Sequence, residues 1–475
     1  MSTPPLSELA RQHLDKIRDY YDGAPTASSW TSRGYRQLLA HYYNLQIPTD
    51  ASVLEIGCGS GELLARLNAS RRVGVDLSAK QIEAARARLP GAEFHVQAGE
   101  SLELPGSFDY IIVSDTLNLA ADVQALLARL HHCTHPGTRL MLNFQNSLWR
   151  PCLSLAVVLG LRHPQPQSSW LATSDVLNLL QLGGWTPISA QNRLLFPLPV
   201  PLVGSFCNRC LAPLMQWFCL TIFMVARPTK ATVTQRSPTV SVIIPARNEA
   251  GNIEAAVRRT PEMGGGTELV FVEGHSRDQT WAEVQRVARE FPGRKMTILR
   301  QTGRGKGDAV RLGFAAATGD ILMILDADLT MPPEELPKFY DIIASGHAEF
   351  ANGVRLVYPM DEKAMQFLNL CANKAFSLIF TWLLGQPVKD TLCGTKVLRR
   401  AHYDRIAANR AYFGDFDPFG DFDLLFGAAR LNLKIADVPI RYKERTYGST
   451  NIQRWSHGWL LLRMVLFAAR KLKFI

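Results

Sequence analysis

Two apolar, β-branched runs each stop at a turn signal and set the architecture: Ser52-Val-Leu-Glu-Ile56 runs into Gly57-Cys-Gly59-Ser-Gly61, and Thr239-Val-Ser-Val-Ile-Ile244 into Pro245. After each, strand-like runs alternate with amphipathic helical stretches, the pattern of an α/β sheet with parallel strands. Between them lies Thr229-Lys-Ala-Thr-Val-Thr-Gln-Arg-Ser-Pro238, polar, threonine-rich and proline-terminated. A chain of 475 residues exceeds one ordinary core. Two domains with a seam at 228–238 are therefore expected, and no internal repeat relates them.

The formal charge of +10 points to an anionic partner, and its location says which kind. From Arg441 to Ile475 there are eight Lys/Arg against the single acid Glu444. Zinc-finger spacing and arginine-rich, aromatic-interleaved stretches are missing, so no nucleic-acid partner is expected. The eight cysteines are scattered, and Cys207-Asn208-Arg209-Cys210 without a second pair is weak grounds for zinc. Met1 to His13 has no apolar core, so no export signal is read there. Reduced thiols then suggest the cytoplasm. Leu194 to Ala226 carries one charge, Arg209, but is broken by Pro197, Pro199, Pro201 and Pro213. Its expected place is ordinary buried core. His457 to Ile475 is punctured by Arg463, Arg470, Lys471 and Lys473 beside Trp459, Leu462, Leu466 and Phe467, which suits an interfacial helix better than a spanning one.

In the first half, three glycines separate a strand from a helix expected to begin near Glu62. Glycine lets the backbone approach a ligand closely, and a helix start offers free amides. The next strand, Arg72-Val-Gly-Val-Asp76, ends in an acid placed to accept from two ribose hydroxyls. Glu93-Phe-His-Val leads to Gly99-Glu100, and Phe108-Asp-Tyr-Ile-Ile-Val-Ser-Asp115 forms a fourth strand. This series, with Asp175 to Trp185 as a last helix, resembles the class I methyltransferases over about Tyr20 to Arg227. The resemblance implies a Rossmann-like domain over 1–228 that binds S-adenosylmethionine (SAM). Glu55, Gly57, Gly59 and Gly61 would line its methionine part, Asp76 its ribose, Glu100 its adenine amino group, and Asp115 the transferred methyl. The Glu-x-Gly-x-Gly-x-Gly register departs from the dinucleotide fingerprint. As base for a hydroxyl acceptor, Asp115, His131 and His132 stay open.

In the second half, Pro245-Ala-Arg-Asn248-Glu249 follows the first strand, and Leu269-Val-Phe-Val-Glu273 gives another. Gly303-Arg304-Gly305-Lys306-Gly307-Asp308 reads as a flexible basic loop suited to diphosphate oxygens. Asp320-Ile-Leu-Met-Ile-Leu then ends in Asp326-Ala-Asp328. On an extended chain the carboxylates at i and i+2 point the same way, so both can serve one divalent cation.

These segments resemble family-2 glycosyltransferases with a GT-A fold, and within them the polyprenyl-phosphate (dolichyl-phosphate) mannosyl- and glucosyltransferases. The carriers are Gly305-Lys-Gly307, Asp326-Ala-Asp-Leu329, Asp390-Thr-Leu-Cys-Gly-Thr-Lys396 and Gly420-Asp421-Phe-Asp423. The resemblance implies a GT-A domain over 239–456, after a linker at 229–238 and before a basic amphipathic helix at 457–475. It implies Mg²⁺ or Mn²⁺ on Asp328 with Asp326 near the ribose. Pro245, Asn248, Glu249, Glu273, Arg304 and Lys306 would bind the nucleotide-sugar donor, and Arg441 and Arg445 the acceptor phosphate. Relatives often carry a second carboxylate where Gly274 stands, which leaves the nucleobase open. A polyprenyl phosphate needs no general base; a hydroxyl acceptor would, and Asp390, Asp421 or Asp423 are then the candidates. The expectation is a bifunctional transferase at the cytoplasmic membrane surface. A soluble glycosyltransferase acting on a hydroxyl, with the first domain as a docking module without chemistry, stays open.

Overall fold

The computed structural model describes residues 7–26, 29–159, 166, 169–198, 200, 202–229, 237–355, 367–412, 422–443, 445, 447 and 454–475. The chain divides into two compact units, Met1–Lys230 and Ala231–Lys473. Residues 230–236 of the expected linker lie outside the described residues.

Among the described residues the first unit holds seven strands: β1 Ser52–Ile56, β2 Arg71–Asp76, β3 Glu93–Val96, β4 Tyr110–Ser114, β5 Arg139–Gln145, β6 Trp185–Arg193 and β7 Thr221–Pro228. Their order is β3-β2-β1-β4-β5-β7-β6. The first five are parallel, while β7 runs antiparallel to both β5 and β6. The dinucleotide-binding order 3-2-1-4-5-6 has no such inserted strand. β4 is buried throughout because its Tyr-Ile-Ile-Val-Ser run is covered on both faces. Ile111, Val113, Leu140 and Trp185 join one core beneath the helix Thr173–Leu182. The helix expected at Glu62 is a single 3-10 turn, Leu64–Arg66. Gly57, Gly59 and Gly61 all take left-handed φ, so the chain leaves β1 in a turn before that short helix.

The described residues of the second unit also hold seven strands: β8 Val240–Ala246, β9 Thr267–Glu273, β10 Lys295–Arg300, β11 Ile321–Ile324, β12 Phe350–Val354, β13 Lys396–Arg399 and β14 Ile435–Pro439. Their order is β10-β9-β8-β11-β13-β12-β14, with β13 antiparallel to β11 and β12. Both sheets are thus mixed, each with one antiparallel strand among the expected parallel ones. Val242, Ile244, Leu269, Phe271 and Met323 fill the core on one face of this sheet. The basic loop is shorter than expected. Gly305, at φ 86°, caps a helix over Lys306–Ala316, so Lys306 and Asp308 lie in a helical first turn.

Helix Arg454–Leu472 buries Leu461, Met464, Val465 and Ala468 and exposes Trp459, Leu462 and Leu466 alongside Arg463 and Arg470. No helix among the described residues is long and apolar enough to cross a membrane.

Candidate functional site

In the first unit the sequence-predicted residues gather where β1, β2 and β4 end. Asp76 accepts from the Gly59 amide at 2.7 Å and the Ser78 amide at 2.9 Å. Gly59 faces open space where a Cβ would stand, whereas the side chain of Thr116 fills that position at Gly57. Glu100 is buried and accepts from the Ala121 amide at 2.9 Å. Glu55 is 1% exposed, and its Oε2 has no hydrogen-bond partner. Such an orphan is costly unless something pairs with it. An open glycine cradle, a carboxylate aligned by two amides and a buried unpartnered carboxylate oxygen fit a ribose-bearing, cationic ligand such as SAM.

Asp115 follows β4 in a left-handed turn at φ 53°. It accepts from Asn143 Nδ2 at 2.9 Å and Tyr35 Oη at 3.2 Å, with the Arg36 guanidinium 3.9 Å away. Burial and the neighbouring Asp115 hold the Tyr35 phenol far above its usual range, so it stays a donor. Tyr35 and Arg36 come from the helix Trp30–Asn44, ahead of every motif read from the sequence. His131 is no longer a base candidate. It stacks on Trp185 at 4.5 Å, and its Nε2 lies 2.7 Å from the Gly183 carbonyl. This is the edge where β5 begins, opposite Asp115, and the exposed His132 lies there too.

Glu55 gives a pH prediction. Burial raises its carboxyl to about 8, with the nearby Arg36 opposing that rise. The folded state then binds a proton that the unfolded state has already lost above its ordinary pKa of about 4.3. The protonated carboxyl adds stability that is complete below that value and is lost as pH rises to about 8. Over that window this group lowers stability by about 1.4 kcal/mol per pH unit. Chemical denaturation across pH 5–8 should show this slope in the wild type and its removal in Glu55→Gln.

In the second unit the ends of β8, β9 and β11 meet the helix at Lys306. The chain leaves β11 at Ile324, and Asp326-Ala-Asp-Leu329 forms a turn closed by the Leu329 amide on the Asp326 carbonyl at 3.1 Å. Strand parity therefore does not orient the two carboxylates, and different cations hold them. Lys306 Nζ lies 2.7 Å from Asp326. Arg445 forks between Asp328 at 2.7 Å and Glu249 at 2.9 Å. Asp328 also accepts from Thr330 N at 3.1 Å and Oγ1 at 2.9 Å. Burial raises the Glu249 carboxyl, and Arg445 opposes that shift. A Cβ at Gly394 would collide with Asp326 and Lys306, so this approach requires glycine there.

Asn248, at φ 58°, bonds the 276–277 loop, its amide donating to Ser276 Oγ at 3.1 Å and its Oδ1 accepting from Arg277 N at 2.7 Å. Glu273 accepts from the Ser276 amide and lies 3.5 Å from Arg300. Pro245 sits in β8, one residue before its end. Arg304 and Arg441 are exposed. No group of three or more His, Cys, Asp or Glu side chains suited to a metal ion occurs among the described residues. Two carboxylates plus substrate oxygens are a usual Mg²⁺ donor set, so Asp326 and Asp328 fit a cation shared with a bound diphosphate.

Two of the three aspartates considered as bases are held by arginines outside the Lys306 and Arg445 pairs. Asp390 is wholly buried and bidentate with Arg355, at 2.7 and 2.9 Å. Burial pushes its carboxyl up, but Arg355 more than offsets this and holds it below the usual range. Asp423 pairs with Arg410 at 3.0 Å. Asp421 lies outside the described residues. Sequence reasoning missed Arg355, since nothing near Asp390 in the chain marks its partner.

Residues 241–406 match the family model for glycosyl transferase family 2, and residues 53–137 match a methyltransferase domain model. The chain belongs to glycosyl transferase family 2 and carries a methyltransferase domain ahead of the glycosyltransferase one. Among curated proteins it is similar to a dolichol-phosphate mannosyltransferase of Pyrococcus furiosus, 32% identical across 45% of this chain and 59% of that one. An undecaprenyl-phosphate 4-deoxy-4-formamido-L-arabinose transferase of Pseudomonas aeruginosa is 34% identical across 44% and 59%. A dolichyl-phosphate hexose transferase of Haloferax volcanii is 30% identical across 44% of this chain and 82% of its own. The chain thus spans 59% of the length of the first two of these relatives.

Proposed function

We propose that this chain is a bifunctional transferase: its second unit moves a sugar from a UDP- or GDP-sugar to a polyprenyl phosphate, and its first methylates a sugar or lipid intermediate related to it. The observation that carries the first half is the convergence of Lys306 on Asp326 and of Arg445 on Asp328 and Glu249, from four separate stretches of chain. Such a cluster of three carboxylates and two cations suits a divalent cation together with a dianionic donor. A divalent cation, Mg²⁺ or Mn²⁺, held by Asp328 and Asp326 would neutralise charge on the departing nucleoside diphosphate. Lys306, in the first turn of its helix, faces the same phosphates. Pro245, Asn248, Glu249 and Glu273 line the nucleoside side, with Arg304 at the exposed rim. The acceptor phosphate oxygen bonds to the anomeric carbon as the bond to the diphosphate breaks, with inversion. Arg441 and Arg445 attract that phosphate, and releasing Arg445 from Asp328 is part of donor binding.

A phosphate acceptor is favoured over a hydroxyl because Asp390 and Asp423 are tied to Arg355 and Arg410 and so are poor bases. Relatives named for dolichyl and undecaprenyl phosphates support the same choice. The exposed Trp459, Leu462 and Leu466 beside Arg463 and Arg470 support attachment to a membrane surface.

In the first unit, Glu55, Gly57, Gly59, Gly61, Asp76 and Glu100 cradle SAM, which supplies an electrophilic methyl when bound. Asp115, fixed by Tyr35 and Asn143, is positioned to take the proton of a hydroxyl acceptor.

Incubating the full chain with polyprenyl phosphate, labelled UDP- or GDP-sugars and Mn²⁺ should carry label into the organic phase. Label that stays aqueous with every donor would overturn the lipid-phosphate acceptor.

A further inference from the structure

Two insertions crown the first unit: after β5 the described residues 146–159, 166 and 169–172, and between β6 and β7 the described residues 194–198, 200 and 202–220. Both emerge at the sheet edge that carries Asp115, since Asp115 follows β4 and its amide bonds the Asn143 carbonyl of β5. They are pinned together. Asn146 Nδ2 donates to the Trp217 carbonyl at 3.1 Å and the Cys219 carbonyl at 3.0 Å, and Trp149 Nε1 donates to the Phe218 carbonyl at 2.8 Å. Tyr35 Oη bridges Asp115 and Thr221 Oγ1, each at 3.2 Å, tying the crown's end to the methyl-transfer edge.

The crown shows water what a core would hide. Leu202 is 86% exposed, Val158 and Trp217 82%, and Leu214 70%, with Leu155 and Phe206 also more than half exposed. Leu202 is held at φ 63°, a conformation a leucine adopts only under constraint, and still projects outward. Apolar display on this scale marks a binding surface. Its charge names the occupant. Neither insertion contains an Asp or Glu, in a chain with 42 among 475 residues, while the exposed Arg150 and Arg209 supply positive charge. A protein partner met through charge would need its own match to a face without carboxylates. A bilayer with anionic headgroups satisfies the apolar side chains, the interfacial tryptophans and the arginines together.

We propose that this crown seats the methyltransferase unit on an anionic bilayer, so that its methyl acceptor is a lipid-anchored molecule presented from that surface. This rests on the reading that the unit transfers methyl from SAM. In that step the acceptor hydroxyl oxygen bonds to the methyl carbon, the methyl–sulfonium bond breaks to leave S-adenosylhomocysteine, and the hydroxyl proton passes to Asp115. The seat belongs to the first unit and predicts a membrane contact of that unit's own.

The full chain is tested against vesicles of phosphatidylcholine with and without phosphatidylglycerol. Leu202→Ser/Phe206→Ser/Trp217→Ser, made on a Trp459→Ser/Leu466→Ser background, should weaken binding to anionic vesicles by a further tenfold or more. Calorimetric SAM binding should not change. Hydrogen exchange on the unmodified chain should slow in 147–159 and 202–218 when anionic vesicles are added. Equal vesicle affinity with and without the triple change, or no slowing in those segments, would overturn the seat. So would protection that tracks protein concentration without lipid, which would assign the face to a second copy. Absence of SAM binding by the unmodified chain would instead sink the methyl-transfer reading, and the vesicle arms would still decide the seat.

Discussion

Replacing Asp328 with alanine should lower sugar transfer about a thousandfold while SAM binding and thermal unfolding stay close to wild type. The magnitude follows from removing a carboxylate that would hold a cation against the departing diphosphate, a loss of several kcal/mol in the transition state. Folding should tolerate the change because Asp328 is a turn residue whose bonds go to Thr330 and Arg445. Asp328→Asn sharpens the test, since an amide oxygen can keep the Thr330 bonds but not the charge. Equal losses in both variants would assign the effect to charge. Nearly full activity in Asp328→Asn would remove this residue from the metal-binding proposal. Donor panels with Mg²⁺ and Mn²⁺ give the rates, and calorimetry gives SAM affinity.

Arg355→Met should cost about 3–5 kcal/mol, the penalty for leaving a buried carboxylate without its partner. Asp390 is wholly buried and accepts from Arg355 Nε, Nη2 and backbone N, and from the Leu392 amide at 3.0 Å. It anchors the loop that delivers Gly394 against Asp326 and Lys306. Sugar transfer should therefore fall along with stability. The double change Arg355→Met/Asp390→Asn should recover part of the stability, because an amide tolerates burial better than an uncompensated charge. Chemical denaturation of the four proteins in that cycle isolates the coupling. A single variant within 1 kcal/mol of wild type would contradict the buried-pair account.

Much of this was legible in the sequence because it depends on local chemistry. β1 and β8 announce themselves as apolar runs ending in glycine or proline, and Gly59, Asp76, Glu100 and Asp115 fall at strand ends that the alternation of elements places on one edge. What was not legible depends on distance along the chain or on backbone turns. Tyr35 reaches Asp115 across 80 residues, from a helix with no motif of its own. Asp326 and Asp328 were expected on extended chain, but Leu329 at φ 53° belongs to a turn, and turn geometry overrides strand parity. Leu194 to Ala226 reads as core by composition. The final strand is buried throughout, while the stretch before it displays Leu202, Leu214 and Trp217 to solvent. Hydrophobicity alone does not say whether water or a membrane lies on the far side.

The inserted antiparallel strand, present in both sheets, also constrains the order of assembly during synthesis. β7 slots between β5 and β6, and β13 between β11 and β12, although in each case both neighbours are made earlier. Until Pro228 has left the ribosome, the facing edges of β5 and β6 have no partner, and the same holds for β11 and β12 until Arg399 emerges. Late, long-range pairing of this kind is slow and leaves strand edges open to other chains. A nascent chain stalled before either point is the form most in need of a chaperone.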